Sequence, residues 1–242
     1  MHNSDYYNCW RSANAARLPA FLQAFSVRYR PIATHECQSK HCDCSGEVFS
    51  IDHSGGVPRL QCTSCESKAF LHPVDADSLE EADSEDHEEC DDCSRSAFNV
   101  AVGRTRTFNT EESGDSCWTY LGVRCCSCGL LSCINSDCPS PLPPMPFNPS
   151  RLCSLALIDQ ASMPWLSGEL RQCTKGVWKN AFTLHFVDSE NANEEGAEWQ
   201  FWQTIRLVDR DEGLILIDML QNGRVGGIEF HGLRSIRQLR YP

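Results

Sequence analysis

The chain has no surplus of positive charge, no apolar run of membrane-spanning length and no familiar catalytic signature. Its 21 lysines and arginines face 33 acidic residues, for a formal net charge of −12. So acidic a surface opposes the phosphate contacts that dominate nucleic-acid binding, so nucleic acid is not an expected partner. No apolar stretch approaches the roughly 20 residues a spanning helix needs, so no membrane association is expected. The first 25 residues lack the basic-then-apolar layout of a secretory leader, which predicts a cytoplasmic protein. HExxH, GxSxG and Walker-type loops are missing. His35-Glu36-Cys37 carries half of the zinc-deaminase pattern, without the PCxxC half. His185 and His231 stand isolated in the sequence, and the expectation is a protein that is not an enzyme.

Cysteine is abundant: there are 16, and fourteen fall in residues 1–138. A disulfide scaffold would fit that number, but not the lack of a leader. In a reducing compartment, clustered cysteines read as metal ligands. Three C-x-x-C pairs stand out, Cys62-Cys65, Cys90-Cys93 and Cys125-Cys128, with a tighter pair at Cys42-Cys44. Each pair can present two sulfurs on one side of a turn, and zinc needs four such ligands in a tetrahedron. Sequence order then predicts two zinc sites. The first takes Cys42, Cys44, Cys62 and Cys65; the second takes Cys90, Cys93, Cys125 and Cys128. A thioredoxin-like redox role would place C-x-x-C at a helix start, whereas these pairs adjoin strand-like segments.

An internal repeat supports the pairing. Phe49 follows Cys44 by five residues, in CSGEVF, and Phe98 follows Cys93 by five, in CSRSAF. Each chain segment then returns to its second pair, in RLQCTSC and VRCCSC, as in a zinc ribbon. The same alignment sets His41 opposite Cys90, so His41 or Cys37 competes with Cys42 as fourth ligand of the first site. Cys117, Cys126, Cys133 and Cys138 are expected to pack as small apolar groups.

The predicted fold is mainly β with a short N-terminal helix: tandem zinc-ribbon-like units followed by a small antiparallel β domain. Residues 1–138 hold the helix and two ribbon units, about 31–74 and 88–138. Residues 139–150 form a linker, because six of the twelve prolines lie in 139–149. Residues 151–242 form the β domain. Leu18, Phe21, Leu22 and Phe25 share one helical face, with Pro19 in the first turn and Pro31 stopping the element, giving a helix expected to cover the first zinc unit. Strand-like runs at Ala181–Val187, Trp199–Val208, Leu214–Leu220 and Val225–Phe230 are joined by turns at Asp211-Glu212-Gly213 and Gln221-Asn222-Gly223. Trp165, Trp178, Trp199 and Trp202 are read as core. Between Asp75 and Asp92 lie eleven acidic residues and no lysine or arginine. Without the oxygen spacing of a calcium loop, this stretch reads as a solvated connector or, more sharply, as a decoy for a basic partner.

HECQSKHCDCSGEVF, the acidic spacer, CDDCSRSAFNVAVG and WTYLGVRCCSCGLLSC together resemble a group of uncharacterised bacterial proteins. Those proteins carry two zinc-ribbon-like units joined by an acidic spacer. The likeness runs over about residues 20–135 and rests on Cys44, Cys62, Cys65, Cys90, Cys93, Cys125 and Cys128 with the phenylalanines and Leu121-Gly122-Val123-Arg124. GLILIDMLQNGRVGGIEF, residues 213–230, is similar to a small bacterial β-domain family of unknown function. Neither resemblance implies an activity. The reading that follows is a zinc-stabilised, non-catalytic interaction or adaptor protein whose partner is another protein. The rivals are a nucleic-acid-binding ribbon using Arg104 and Arg106, and an enzyme with its site in the C-terminal domain.

Overall fold

The computed structural model describes residues 11–30, 34, 36–52, 58–70, 87–105, 119–137, 144–180, 182–187, 200–209 and 212–232. A short 3-10 turn, Ala15–Arg17, leads into α1, Leu18–Ser26. Seven strands follow: β1 Glu36–Ser39, β2 Phe49–Asp52, β3 Arg59–Cys62, β4 Lys68–Phe70, β5 Phe98–Arg104, β6 Thr119–Cys125 and β7 Leu131–Asp137. They form one antiparallel sheet in the order β4-β3-β2-β5-β6-β7, with β1 also on β5. Then come β8 Met145–Pro146, α2 Ser150–Asp159, α3 Pro164–Gln172, β9 Lys175–Asn180, β10 Thr183–His185, β11 Phe201–Asp209, β12 Gly213–Leu220 and β13 Val225–Gly232. The second sheet runs β11-β12-β13-β10-β9-β8. The fold is mainly β and antiparallel, with ribbon-like hairpins in the first sheet.

The two ribbon hairpins are intertwined. β2 meets β5 at the pair Phe49↔Phe98, and Phe49 also faces Cys62 while Phe98 faces Cys125. One row across four strands therefore reads Cys62, Phe49, Phe98, Cys125. The segment leading into each unit pairs with the other unit. Lys40 donates its amide to the Val100 carbonyl at 2.8 Å, and Glu88 donates its amide to the Ile51 carbonyl at 2.9 Å. Val100 lies two residues after Phe98, and Ile51 two after Phe49. The sequence repeat is thus an approximate twofold within one sheet.

The two faces of this sheet pack differently. Phe49, Ile51, Leu60, Phe98, Val100, Val102, Leu121 and Val123 form one core with cysteines of the metal clusters. The other face carries Ala101, Gly103, Tyr120 and Gly122, which make a shallow seat for α1. A Cβ on Gly122 would lie 2.6 Å from Leu22 side-chain carbons, so glycine sets how closely the helix approaches. Leu18, Phe21, Leu22 and Phe25 are all buried, as their spacing predicts. The helix rests on β1 of the first unit, as expected, but equally on β5 and β6 and also on β7, so it covers both units. Its far side reaches the second sheet: Phe25 sits 6.0 Å edge-on to Tyr120 and 6.1 Å from Phe182. One core therefore runs from β6 through α1 to Trp178, Ile217, Ile228 and Phe230.

Two helices were not anticipated, because the apolar residues of α2 do not mark one face. Leu152 and Ala156 are buried while Leu157 and Ile158 are exposed. Trp178 is buried, but Trp165 and Trp202 are exposed and stacked on one another at 6.4 Å, which corrects their assignment to the core. Trp199 lies outside the described residues. The Gln221-Asn222-Gly223 turn forms as expected, with Gly223 at φ +81° and the Leu220 amide donating to the Arg224 carbonyl.

A buried ionic network ties the end of α1 to the second sheet. Arg30 grips Glu212 with both Nη atoms, at 2.9 and 3.1 Å, and lies 3.7 Å over the Phe25 ring. Arg28 adds a third contact to Glu212 at 3.2 Å. Asp209 accepts from Arg151 at 2.7 Å through each oxygen and from the Tyr29 hydroxyl at 2.9 Å. Burial, then the Asp209 charge, pushes the Tyr29 phenol upward, so it stays a neutral donor. Removing one side of such a pair strands a buried charge, at about 3–5 kcal/mol, whereas replacing both sides with apolar groups is often tolerated. Glu212→Ala should lower stability in chemical denaturation by about that amount. Arg30→Met combined with Glu212→Leu should recover much of the loss.

Candidate metal centres

Each cysteine pair closes a turn with its own hydrogen bonds, and three of the four turns are alike. Cys62, Cys90 and Cys125 each accept at the carbonyl from the amide four residues on: Glu66, Ser94 and Gly129, all at 2.9 Å. Each also donates its amide to the carbonyl five residues on: Ser67, Arg95 and Leu130. The residue at the fourth place has positive φ in every case: Glu66 +61°, Ser94 +54° and Gly129 +73°. At Cys42 the turn is one residue shorter. Ser45 donates to the Cys42 carbonyl, Cys42 donates to the Gly46 carbonyl, and Ser45 takes the positive φ, +66°. Cys42 therefore occupies the place of Cys90, and the register that put His41 there is corrected.

The turns bring all eight predicted cysteines into two groups. Cys42, Cys44, Cys62 and Cys65 have their sulfurs within 4.8 Å of one another, and so do Cys90, Cys93, Cys125 and Cys128. Across the first group, Cys42 and Cys65 are 3.4 Å apart and Cys44 and Cys62 are 3.7 Å apart. Across the second, Cys90 to Cys128 and Cys93 to Cys125 are both 3.5 Å. A tetrahedral ion with metal–sulfur bonds near 2.3 Å sets its sulfurs about 3.8 Å apart, so either group could hold one metal ion. The separations are far longer than the S–S bond of about 2.05 Å, and these cysteines are free thiols.

The alternative ligands lie elsewhere. His41 turns its Nδ1 to Glu47 at 3.5 Å and is exposed. Cys37 sits on β1 opposite Gly103 and donates to Thr34 Oγ1 at 3.3 Å. His35, Cys117 and Cys138 lie outside the described residues. Cys126 contacts Asn99 at 3.7 Å, and Cys133 packs against the core that holds α1.

Electrostatics within each group favour a shared cation. The Ser67 hydroxyl, the Cys44 amide and the Cys65 thiol lower Cys42 to about 6. Burial resists ionisation of Cys125, but the amides of Cys128 and Ser127 and the neighbouring thiols outweigh it, bringing Cys125 to about 7. Burial instead raises Cys90 and Cys93. One or two thiolates are stabilised by their neighbours' protons, and full ionisation needs a cation in the middle.

The second group is also strapped. Arg11 pairs with Asp92, which lies between Cys90 and Cys93, and donates to the Cys128 carbonyl at 3.1 Å. Ser12 donates its amide to the Gly129 carbonyl, and Arg124 donates to the carbonyls of Ser12 at 2.6 Å and Ala13 at 2.9 Å. Gly129 is the one glycine among the four positive-φ positions because a Cβ there would lie 2.6 Å from the Ser12 carbonyl oxygen. Arg11, Ser12, Ala13, Arg124, Ser127, Cys128 and Gly129 line a cleft of about 320 Å³ beside this group.

Comparison with protein-family models, with curated proteins and with solved structures returns no match.

The histidines read as isolated are not. His185, Asp218, Glu229 and His231 share the outer face of the second sheet, where Asp218 and His185 both oppose Gly227. His231 Nε2 is 2.6 Å from Glu229, and Thr204 donates to Asp218 at 2.8 Å. Strand alternation in HFV, IDM and IEFH carried that signal. Among the described residues, only the two cysteine groups gather three or more potential ligand atoms within 4.8 Å.

Substitutions separate the ligands from their neighbours. His41→Ala and Cys37→Ser should each leave the metal content unchanged, whereas Cys128→Ser should lose one ion per chain in elemental analysis and loosen the strapped hairpin. Gly129→Ala should destabilise by about 1–3 kcal/mol, read as a lower midpoint in urea.

Proposed function

We propose that both cysteine groups are structural zinc sites in a non-catalytic, cytoplasmic protein that acts by binding another protein. The observation that carries this reading is the closed Cys₄ set at the tip of each hairpin. A structural zinc site uses four protein ligands, whereas a catalytic one keeps a position open for water or substrate. Thiolates also favour zinc over harder divalent ions, and zinc brings no redox chemistry of its own. A protein partner is further supported by the surface of the second sheet. Trp202 is 55% exposed on β11, an edge strand, with Trp165 stacked on it and Phe201 beside it. Gln160 caps the Arg206 carbonyl and Asp159 caps the Val208 amide, closing one end of that edge. Among the described residues no such cap lies at Phe201–Thr204. An extended protein segment pairing with this open end would bury the tryptophans, as in strand addition to a sheet edge.

Metal analysis of protein purified without added metal should give two zinc ions per chain, and colourless protein. A brown chain holding iron and sulfide, or a chain with no metal, would overturn the reading. For the partner, Trp165→Ala with Trp202→Ala should abolish a stoichiometric association seen with the native chain in gel filtration. Association at equal strength would place the interface elsewhere.

A further inference from the structure

The two cysteine groups share one turn geometry but not one environment. In the first, Cys44 and Cys65 are exposed and Cys42 is half-buried. Its Cys42 turn is one residue shorter than the other three, and Cys42 shares a hydrogen bond with an exposed serine hydroxyl, Ser67 Oγ, at 3.1 Å. In the second, Cys90 and Cys125 are buried, and the strap of Arg11 and Ser12 crosses the Cys125–Cys128 turn. Arg11 also sets a positive charge beside Cys128. A zinc ion with four thiolates carries a net charge of −2. In the second group the Arg11–Asp92 pair and the Ser12 strap lie against that charge, whereas in the first it faces water. Susceptibility of thiolates to oxidation follows exposure and thiolate character.

We propose that the first group is a site of thiol oxidation: a peroxide converts Cys42 and Cys65 to a disulfide and releases that metal ion, while the second group keeps its own. The inference rests on the zinc reading of both groups. Cys42 and Cys65 lie 3.4 Å apart, nearer than Cys44 and Cys62 at 3.7 Å. One thiolate attacks a peroxide oxygen, the O–O bond breaks, and hydroxide leaves as a sulfenic acid forms. The second thiolate then attacks that sulfur and displaces a second hydroxide. Two electrons pass from the two sulfurs to the peroxide, and two protons from solvent turn the hydroxides into water. Cys44 and Cys62 alone do not retain the ion, because zinc has lost half of its ligands. Loss of the ion loosens the short β2–β3 hairpin, while Phe49 keeps its pairing with Phe98 and the second group stays in place.

The test uses the full-length, zinc-loaded chain treated with hydrogen peroxide. A chromophoric chelator follows zinc release, and peptide mass spectrometry maps the disulfides. One ion should leave about tenfold or more faster than the other, with a Cys42–Cys65 linkage appearing at the same rate. Cys65→Ser should not form that linkage. Because that variant also weakens the site, Arg11→Ala supplies a second arm with all eight thiols intact. It should speed release of the second ion and leave the first unchanged. Release of both ions at one rate, a first disulfide among Cys90, Cys93, Cys125 and Cys128, or an unaltered second rate in Arg11→Ala would each overturn the proposal. Two zinc ions at the start with equal release rates sinks only this inference, whereas a chain without zinc sinks the function it rests on.

Discussion

Four thiols crowded within 4.8 Å at the end of a hairpin are only partly held by apolar burial, and their ionisation is mutually opposed. A cation at the centre removes both difficulties, since it draws the sulfurs together and stabilises every thiolate at once. An ion in each group would brace the rest of the first sheet as well. β2 and β3 are four residues each, too short to stand as an isolated hairpin. Their register is fixed at the row Cys62, Phe49, Phe98, Cys125, where the two cysteine groups flank a central pair of phenylalanines. Each lead-in segment crosses to the other unit, so the two centres brace one continuous sheet rather than two independent ribbons.

The second sheet is joined to the first by different means. α1 lies between them, seated closely on one sheet because Gly122 carries no side chain, and filled in on the other side by Phe182. The Arg30–Glu212 pair and the Tyr29–Asp209 hydrogen bond then fix the chain after α1 to the junction of β11 and β12, and Arg151 ties α2 to the same Asp209. Buried charges add little net stability, but they tolerate few alternative arrangements. Hydrophobic contact supplies the adhesion here, and the ionic network selects the orientation. This leaves the outer edge at β11, with its stacked tryptophans, facing solvent.

Much of the metal architecture was legible because ligand spacing is a local property. The C-x-x-C pairs, the phenylalanines five residues after Cys44 and Cys93, and the pairing of the eight cysteines can be read without any tertiary information. Cys42 was the ligand read from the sequence, but His41 stayed a rival, since the turn is shortened by one residue and alignment by spacing alone absorbed that deletion as a change of ligand. The helical face of Leu18, Phe21, Leu22 and Phe25 was legible, but only part of its destination, because a periodic face says that it is buried and not by what. α2 escaped notice for a related reason: Leu157 and Ile158 are exposed, so apolar residues surround the helix. Trp165 and Trp202 were misread as core because aromatic residues mark both interiors and contact surfaces. The ionic network was invisible, joining residues about 180 positions apart.

On this reading a four-thiolate metal centre in each of the two cysteine groups organises the first sheet. X-ray absorption at the zinc edge of the purified chain tests it most directly. The account predicts four sulfur neighbours per zinc at about 2.3 Å, with no nitrogen or oxygen neighbour in the average of the two sites. A spectrum that needs a nitrogen or oxygen in the first coordination sphere, or the absence of bound zinc, would contradict it.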